Sequence, residues 1–206
     1  KPSVAQSIAA VLGADQKKNG YLQGENDFVS WCIGHLIELA PPEIYDARYA
    51  KWRREDLPIV PSAWESVVSD GTKKQFAVLK DLLNRTDVDE VVCATDAGRE
   101  GELIFRMVYE KTGCTKPVKR LWISSLEESA IREGFRSLKP GSAYDALYRA
   151  ALCRAQADWL VGINGTRLYS RLYGIKLNVG RVMTPTLAMV AQREKEIAVF
   201  QVERFY

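Results

Sequence analysis

Long apolar runs are absent from this 206-residue chain. None approaches the about 20 residues that a membrane-crossing helix needs, and no signal peptide is visible. Cysteine is sparse and scattered. Cys32, Cys93, Cys114 and Cys153 form no C-x-x-C pair, which argues against a zinc site within the chain and makes a reducing cytoplasm the expected setting. No G-x-x-x-x-G-K-[ST] segment is present, so nothing here cradles ATP in a P-loop. Internal repeats and low-complexity tracts are missing too. What remains is 47% hydrophobic and 27% charged, a balance that excludes disorder, collagen and a disulfide scaffold. The length suits one sizeable domain, or one with part of a second. An opening at Lys1 and the strand-like ending FQVERFY suggest a piece of a longer protein.

The net charge of +3 hides an asymmetry. Residues 149–206 carry nine Lys/Arg against four Asp/Glu, whereas residues 1–148 are slightly acidic. Such a division suits a polyanion held by one part and metal or proton chemistry in the other, though a solvated arginine-rich helix face has the same composition.

Periodicity predicts a helix over 2–12, with Pro2 in its first turn and Val4, Ile8, Val11 and Leu12 on one face. An α/β unit normally opens with a strand, so one is expected just before Lys1. NGYLQGENDFVSWCIG reads as a hairpin turning at 24–27. Residues 40–63, rich in proline and aromatics, read as an irregular surface segment. Helix 73–83, strand 89–95, helix 102–111, strand 118–124 and a helix to 138 follow, the last opened by a capping box at 125–128. That alternation predicts a mainly parallel sheet with helices on its faces. LKPGS (138–142) interrupts it, and helices over about 143–170 and 184–197 come after. A domain boundary is expected near residue 140.

The most informative stretch is TDAGREGEL, 95–103, where a strand should end and a helix begin. Ligands of open α/β sheets bind at the carboxyl ends of strands. Asp96, Glu100 and Glu102 repel one another unless a cation or an arginine sits among them. Mg²⁺ favours one or two carboxylates with waters and a substrate phosphate, so the loop suits a Mg²⁺ site for phosphoryl chemistry. The plainer alternative is that the acids only complement the dipole of the following helix.

Four segments, in order, carry a resemblance over essentially the whole chain: KPSVAQSIA; GHLIELAPPEIYD with KWRREDLPIVPSAW; TDAGREGELIFR with LWISSLEESAI; and ADWLVGINGTRLYS with NVGRVMTPTLAMVAQRE. Together they resemble the type IA DNA topoisomerases, and within these the topoisomerase III branch. The resemblance implies an α/β Toprim-like domain over 1–140 lacking its first strand, then the start of a helical DNA-binding domain over 141–206. It implies ATP-independent breakage and rejoining of single-stranded DNA through a 5′-phosphotyrosine link, assisted by Mg²⁺, with DNA as partner and no membrane. Lys1, Arg99 and Glu100 take catalytic places, Lys1 against the scissile phosphate, and Asp96 and Glu100 take the metal. His35, the single histidine, lies in GHL and would meet the DNA backbone. Arg154, Asp158, Arg167 and the run Asn178, Val179, Gly180, Arg181, Val182, Met183, Thr184 would line a DNA groove.

There are departures. The family's opening Glu, which would supply a general acid, should stand immediately before Lys1. Gly98 occupies the middle acid of D-x-D-x-E, and Met183 stands where Gln is common. None of the nine tyrosines has the family's Tyr-x-Arg-Thr-like setting, Tyr169 and Tyr206 included, so the nucleophile is expected outside this chain. Other readings of the same residues are another Toprim enzyme (a primase or OLD-type nuclease), a non-catalytic nucleic-acid-binding module, and a small-molecule phosphotransferase. The first is disfavoured by GHL and NVGRVMTPTL. A bland reading also exists for Arg154 and Asp158, one helical turn apart: an i,i+4 ion pair.

Overall fold

The computed structural model describes residues 1–202. The strand-like reading of 200–206 therefore falls largely on 203–206, outside the described residues. The chain divides into two compact units: Lys1–Ala40 with Glu65–Arg154, and Pro41–Trp64 with the chain from Ala155 onward. This division differs from the expected boundary near residue 140. A segment that looked like a surface loop joins the later unit, and the change of unit falls inside a long helix.

In the first unit, α1 (Pro2–Leu12) starts with proline in its first turn and stops at Gly13, whose φ of 73° suits a residue without Cβ. The hairpin is present as β2 (Tyr21–Gln23) and β3 (Phe28–Ser30). Ahead of them β1 (Gln16–Lys18) adds an unanticipated third antiparallel strand, fully exposed and so without alternating hydrophobicity. β4 (Ile37–Leu39) pairs antiparallel with β5 (Ser66–Val68). The amphipathic α3 (Lys73–Leu83) buries Leu82 and also Gln75, whose amide donates to the carbonyls of Gly20 and Trp31.

The α/β part proper follows. β6 (Val91–Cys93) pairs parallel with β7 (Val118–Arg120), the arrangement that helix α4 (Arg99–Thr112) between them requires. Among the described residues this is the one parallel pair. β8 (Lys139–Pro140) adds antiparallel to β7 at the sheet edge, where a proline without N–H is tolerated. α5 (Glu128–Arg136) begins later than the capping box predicted. Ser125 Oγ accepts from Glu127 N–H at 3.2 Å, so the hydroxyl closes a turn ahead of the helix instead of capping it. Ala5, Ile8 and Ala9 of α1, Leu22, Val29, Leu121 and Ile131 form one core, with Val92 and Ala94 packed on it.

α6 (Asp145–Tyr173) belongs to the first unit up to Arg154 and to the second from Ala155. In the second unit the 41–64 segment contains α2 (Pro42–Tyr45) and a 3-10 turn, Ala47–Ala50. The Asn164 side chain accepts from Ile59 N–H and donates to Ile59 O (2.6 and 2.9 Å). Trp159 packs edge-on against Tyr45 and Trp64. α7 (Met183–Ala198) buries none of its residues. No described helix is long and apolar enough to cross a membrane.

Candidate active site

The acidic loop leaves the carboxyl end of β6. α4 starts at Arg99, three residues earlier than expected, because Glu102 N–H already reaches Gly98 O at 3.1 Å. Glu100 and Glu102 thus sit in the first helical turn, where the macrodipole favours anions. Thr95 Oγ1 donates to Gly101 O at 2.8 Å and ties loop to helix.

The three acids have different fates. Asp96 is 63% exposed and lies 3.4 Å from Lys1 Nζ, the residue immediately before α1. Glu100, 71% exposed, meets His35 Nε2. His35 is brought there from outside the α/β part: Leu36 and Ile37 are buried, β4 packs against α4, and Gly34 turns the chain at a φ of 66°. Residues 1, 35, 96 and 100 therefore place an ammonium and an imidazole against two exposed carboxylates. Arg99, first residue of α4, is exposed beside them.

Glu102 goes the other way. It is 1% exposed and held between Arg120 Nε and Arg106 Nε, each at 3.0 Å. Arg106 continues to Asp145 Oδ1 and Gly141 O. Burial lowers the Arg106 pKa, but hydrogen bonds to Glu102 and Asp145 more than offset it, and the net direction is upward. The i,i+4 spacing of Glu102 and Arg106 was legible in the sequence. Arg120, a basic residue in an apolar strand, was missed, and nothing local marked it.

A hydrated Mg²⁺ needs one or two hard oxygen ligands, and Asp96 and Glu100 can supply them. With Glu102 neutralised and Gly98 in the loop, no cluster of three or more ligating side chains occurs among the described residues. The donor set fits a mostly hydrated ion that borrows substrate oxygens, and does not fit a closed protein cage.

In the second unit, Asp158 pairs with Arg181, both about half-exposed. The 178–184 loop packs tightly on α6: a Cβ at Gly165 would stand 2.8 Å from Val179 Cγ1. Val179 N–H donates to Thr166 Oγ1 and Gly180 N–H to Thr184 Oγ1, so these two amides are satisfied internally. Asn178, Arg181, Val182, Met183 and Thr184 are exposed, as is Arg154 in the first unit. Arg167 overturns its expectation as a DNA contact. It is 4% exposed, donating to Tyr49 O and Glu43 and stacked over Trp52, so it ties the 41–64 segment to α6. Its spacing from Arg171 did not reveal which of the two turns inward.

Compared with known proteins, residues 1–126 match the Toprim domain family. The chain belongs to the Toprim family. Residues 142–206 match a second family, described as DNA topoisomerase. The whole Toprim chain is 52% identical to DNA topoisomerase 3 of Bacillus thuringiensis (strain Al Hakam), and 97% of it is 54% identical to DNA topoisomerase 3 of Shouchella clausii. It spans 28% and 27% of those relatives' lengths. Among solved structures, 98% of the chain superposes on 30% of full-length topoisomerase I from Thermotoga maritima, with a TM-score of 0.65 and 25% identity. Toprim domains are typically metal-binding, which agrees with the donor set at the end of β6.

Proposed function

We propose that this chain is the N-terminal part of a topoisomerase III-like type IA enzyme that breaks and rejoins single-stranded DNA without ATP. One observation carries the reading. Lys1 pairs with Asp96 and His35 with Glu100, on the loop and first helical turn that follow a parallel strand, in a chain matched over its full length by DNA topoisomerase 3 relatives.

The reaction exchanges one phosphodiester for another. A tyrosine oxygen from beyond this chain attacks phosphorus, the 3′ oxygen leaves with a proton, and the reverse attack reseals the strand. The Lys1 ammonium stands where it neutralises phosphate oxygens, and Asp96 keeps it from swinging away. The His35 ring, anchored on Glu100, presents its other ring nitrogen to the DNA backbone. Asp96 and Glu100 would hold Mg²⁺, which supplies charge to fix the DNA ends. In the second unit Arg181 and the exposed residues of 178–184 are offered to DNA, and in the first unit Arg154 is. Asp158 acts there by orienting Arg181, an arrangement that raises the Arg181 pKa through their hydrogen bond. In a relaxation assay with Mg²⁺ and supercoiled plasmid, the intact protein relaxes DNA, its Asp96→Asn/Glu100→Gln variant loses at least 100-fold, and residues 1–206 alone give no relaxation. Unchanged relaxation by the double variant sinks the assignment.

The same reading leaves room for one more strand beside β3 and β6. Among the described residues β3 pairs on one side only, and so does β6. A cavity of about 450 Å³ separates them, lined by Lys1, Ile8, Phe28, Val29, Val92 and Phe135 among others. An apolar strand preceding Lys1 fits this groove and would join the two sheets. Extending the chain on that side raises the thermal midpoint by about 5 °C or more. An unchanged midpoint, with the added residues exchanging amide protons freely, removes the strand from the groove.

A further inference from the structure

The most deeply buried charges in the first unit take no part in the steps above. Arg120 is fully enclosed, its side chain 0% exposed, and among the described residues Glu102 is its one charged partner at hydrogen-bond distance. Removing both charges in favour of apolar side chains is often neutral or stabilising, so stability alone does not account for the pair. What a guanidinium has and an apolar residue lacks is a planar fork of directed donors.

Arg120 uses that fork chiefly on the backbone of residues 93–96, with one further bond to Leu121. Nη1 donates to Cys93 O (3.1 Å), Thr95 O (2.7 Å) and Leu121 O (2.7 Å). Nη2 donates to Asp96 O at 2.8 Å. The β6–β7 ladder ends at the Cys93–Arg120 pair, so these carbonyls lie where strand pairing runs out. Glu102 holds Nε and keeps the fork in plane, Arg106 holds Glu102 from the other side, and Trp122 packs over the guanidinium 5.0 Å away.

We propose that Arg120 is a positioning residue for the acidic loop. It pins the backbone of residues 93–96 so that the exposed Asp96 carboxylate is presented in one place before any ligand arrives. Glu102 serves this clamp and is not a metal ligand. The inference rests on the metal-assisted reading of the site, and concerns how that site is pre-organised. Lysine at 120 keeps the charge but, with a single ammonium, cannot span four carbonyls and a carboxylate.

The test uses the intact protein, Arg120→Lys, and the double variant Arg120→Met/Glu102→Leu, which removes the charged pair as a unit. Three quantities are read: the thermal midpoint, amide hydrogen exchange across residues 95–101 without metal, and the Mg²⁺ dissociation constant by calorimetry. The double variant is expected to stay folded. Its loop amides should exchange at least 10-fold faster and its Mg²⁺ dissociation constant should rise at least 10-fold, with Arg120→Lys between it and the parent. Unchanged loop exchange in folded variants overturns the proposal. Loss of fold in both variants overturns it too, because the pair would then serve the core alone. Asp96→Asn is measured alongside. If it leaves Mg²⁺ affinity intact, the metal reading fails, while loop exchange in Arg120→Lys still decides whether the clamp exists.

Discussion

Gly101→Ala is expected to disable the site from one methyl group. A Cβ at residue 101 would stand 2.0 Å from Asp96 O and 2.9 Å from Asp96 C and N, all backbone atoms. Alanine gains up to about 1 kcal/mol of helix propensity over glycine in a helix interior. Overpacking against an unyielding backbone costs about 1–3 kcal/mol or more, and here the obstacle cannot rotate away. The clash therefore wins. The expected result is a thermal midpoint lowered by about 5 °C and DNA relaxation reduced at least 100-fold, read by calorimetry and a plasmid assay on the intact protein. Gly98 is the control. Nothing lies within 4 Å of a Cβ there, and its backbone is extended, so Gly98→Ala meets no clash and loses only the N-cap preference of glycine, about 1 kcal/mol or less. If Gly101→Ala behaved like Gly98→Ala, close packing of α4 on the Asp96 backbone would not matter to the site. The open space at Gly98 also admits Gly98→Asp, which restores the acid absent from the motif. Tighter Mg²⁺ binding by that variant is the expected outcome.

The second large effect is on stability. Glu102→Gln leaves Arg120, fully enclosed, without its counter-charge, while the partly buried Arg106 retains Asp145. Breaking a buried pair by neutralising one partner costs about 3–5 kcal/mol, because the remaining charge is neither hydrated nor compensated. For a chain of this length that is a fall of about 10 °C in the thermal midpoint. Neutralising Glu100 instead costs almost nothing, since both it and His35 reach water. A denaturation series on Glu102→Gln and Glu100→Gln separates the two carboxylates. Equal midpoints would mean that burial does not divide their roles.

Much of the fold was legible because its causes are local. Pro2 and Gly13 bracket α1, an apolar stripe marks α3, and Val91–Cys93 and Val118–Arg120 with a helix between them compel a parallel pair. The acidic loop was legible as well, since three carboxylates after a strand are electrostatically unstable without help. Other features carried no local signature. β1 is wholly exposed and β8 contains a proline, so neither has the alternation by which strands are recognised. Ser125 had a cap's neighbours, yet its hydroxyl closed a turn instead.

Residue types along the chain, read with the family resemblance, marked the candidates: Lys1 before a helix, acids at a strand end, and basic side chains along the later helices. They did not determine which charges face water. Glu100 and Glu102 are two residues apart on α4, and Arg167 and Arg171 are one turn apart on α6. One member of each pair is exposed and the other sealed, by partners such as Arg120 and Glu43 that lie far away in sequence. Desolvation is a property of the assembled neighbourhood, and a charge becomes structural only when folding supplies enough directed hydrogen bonds to replace its water.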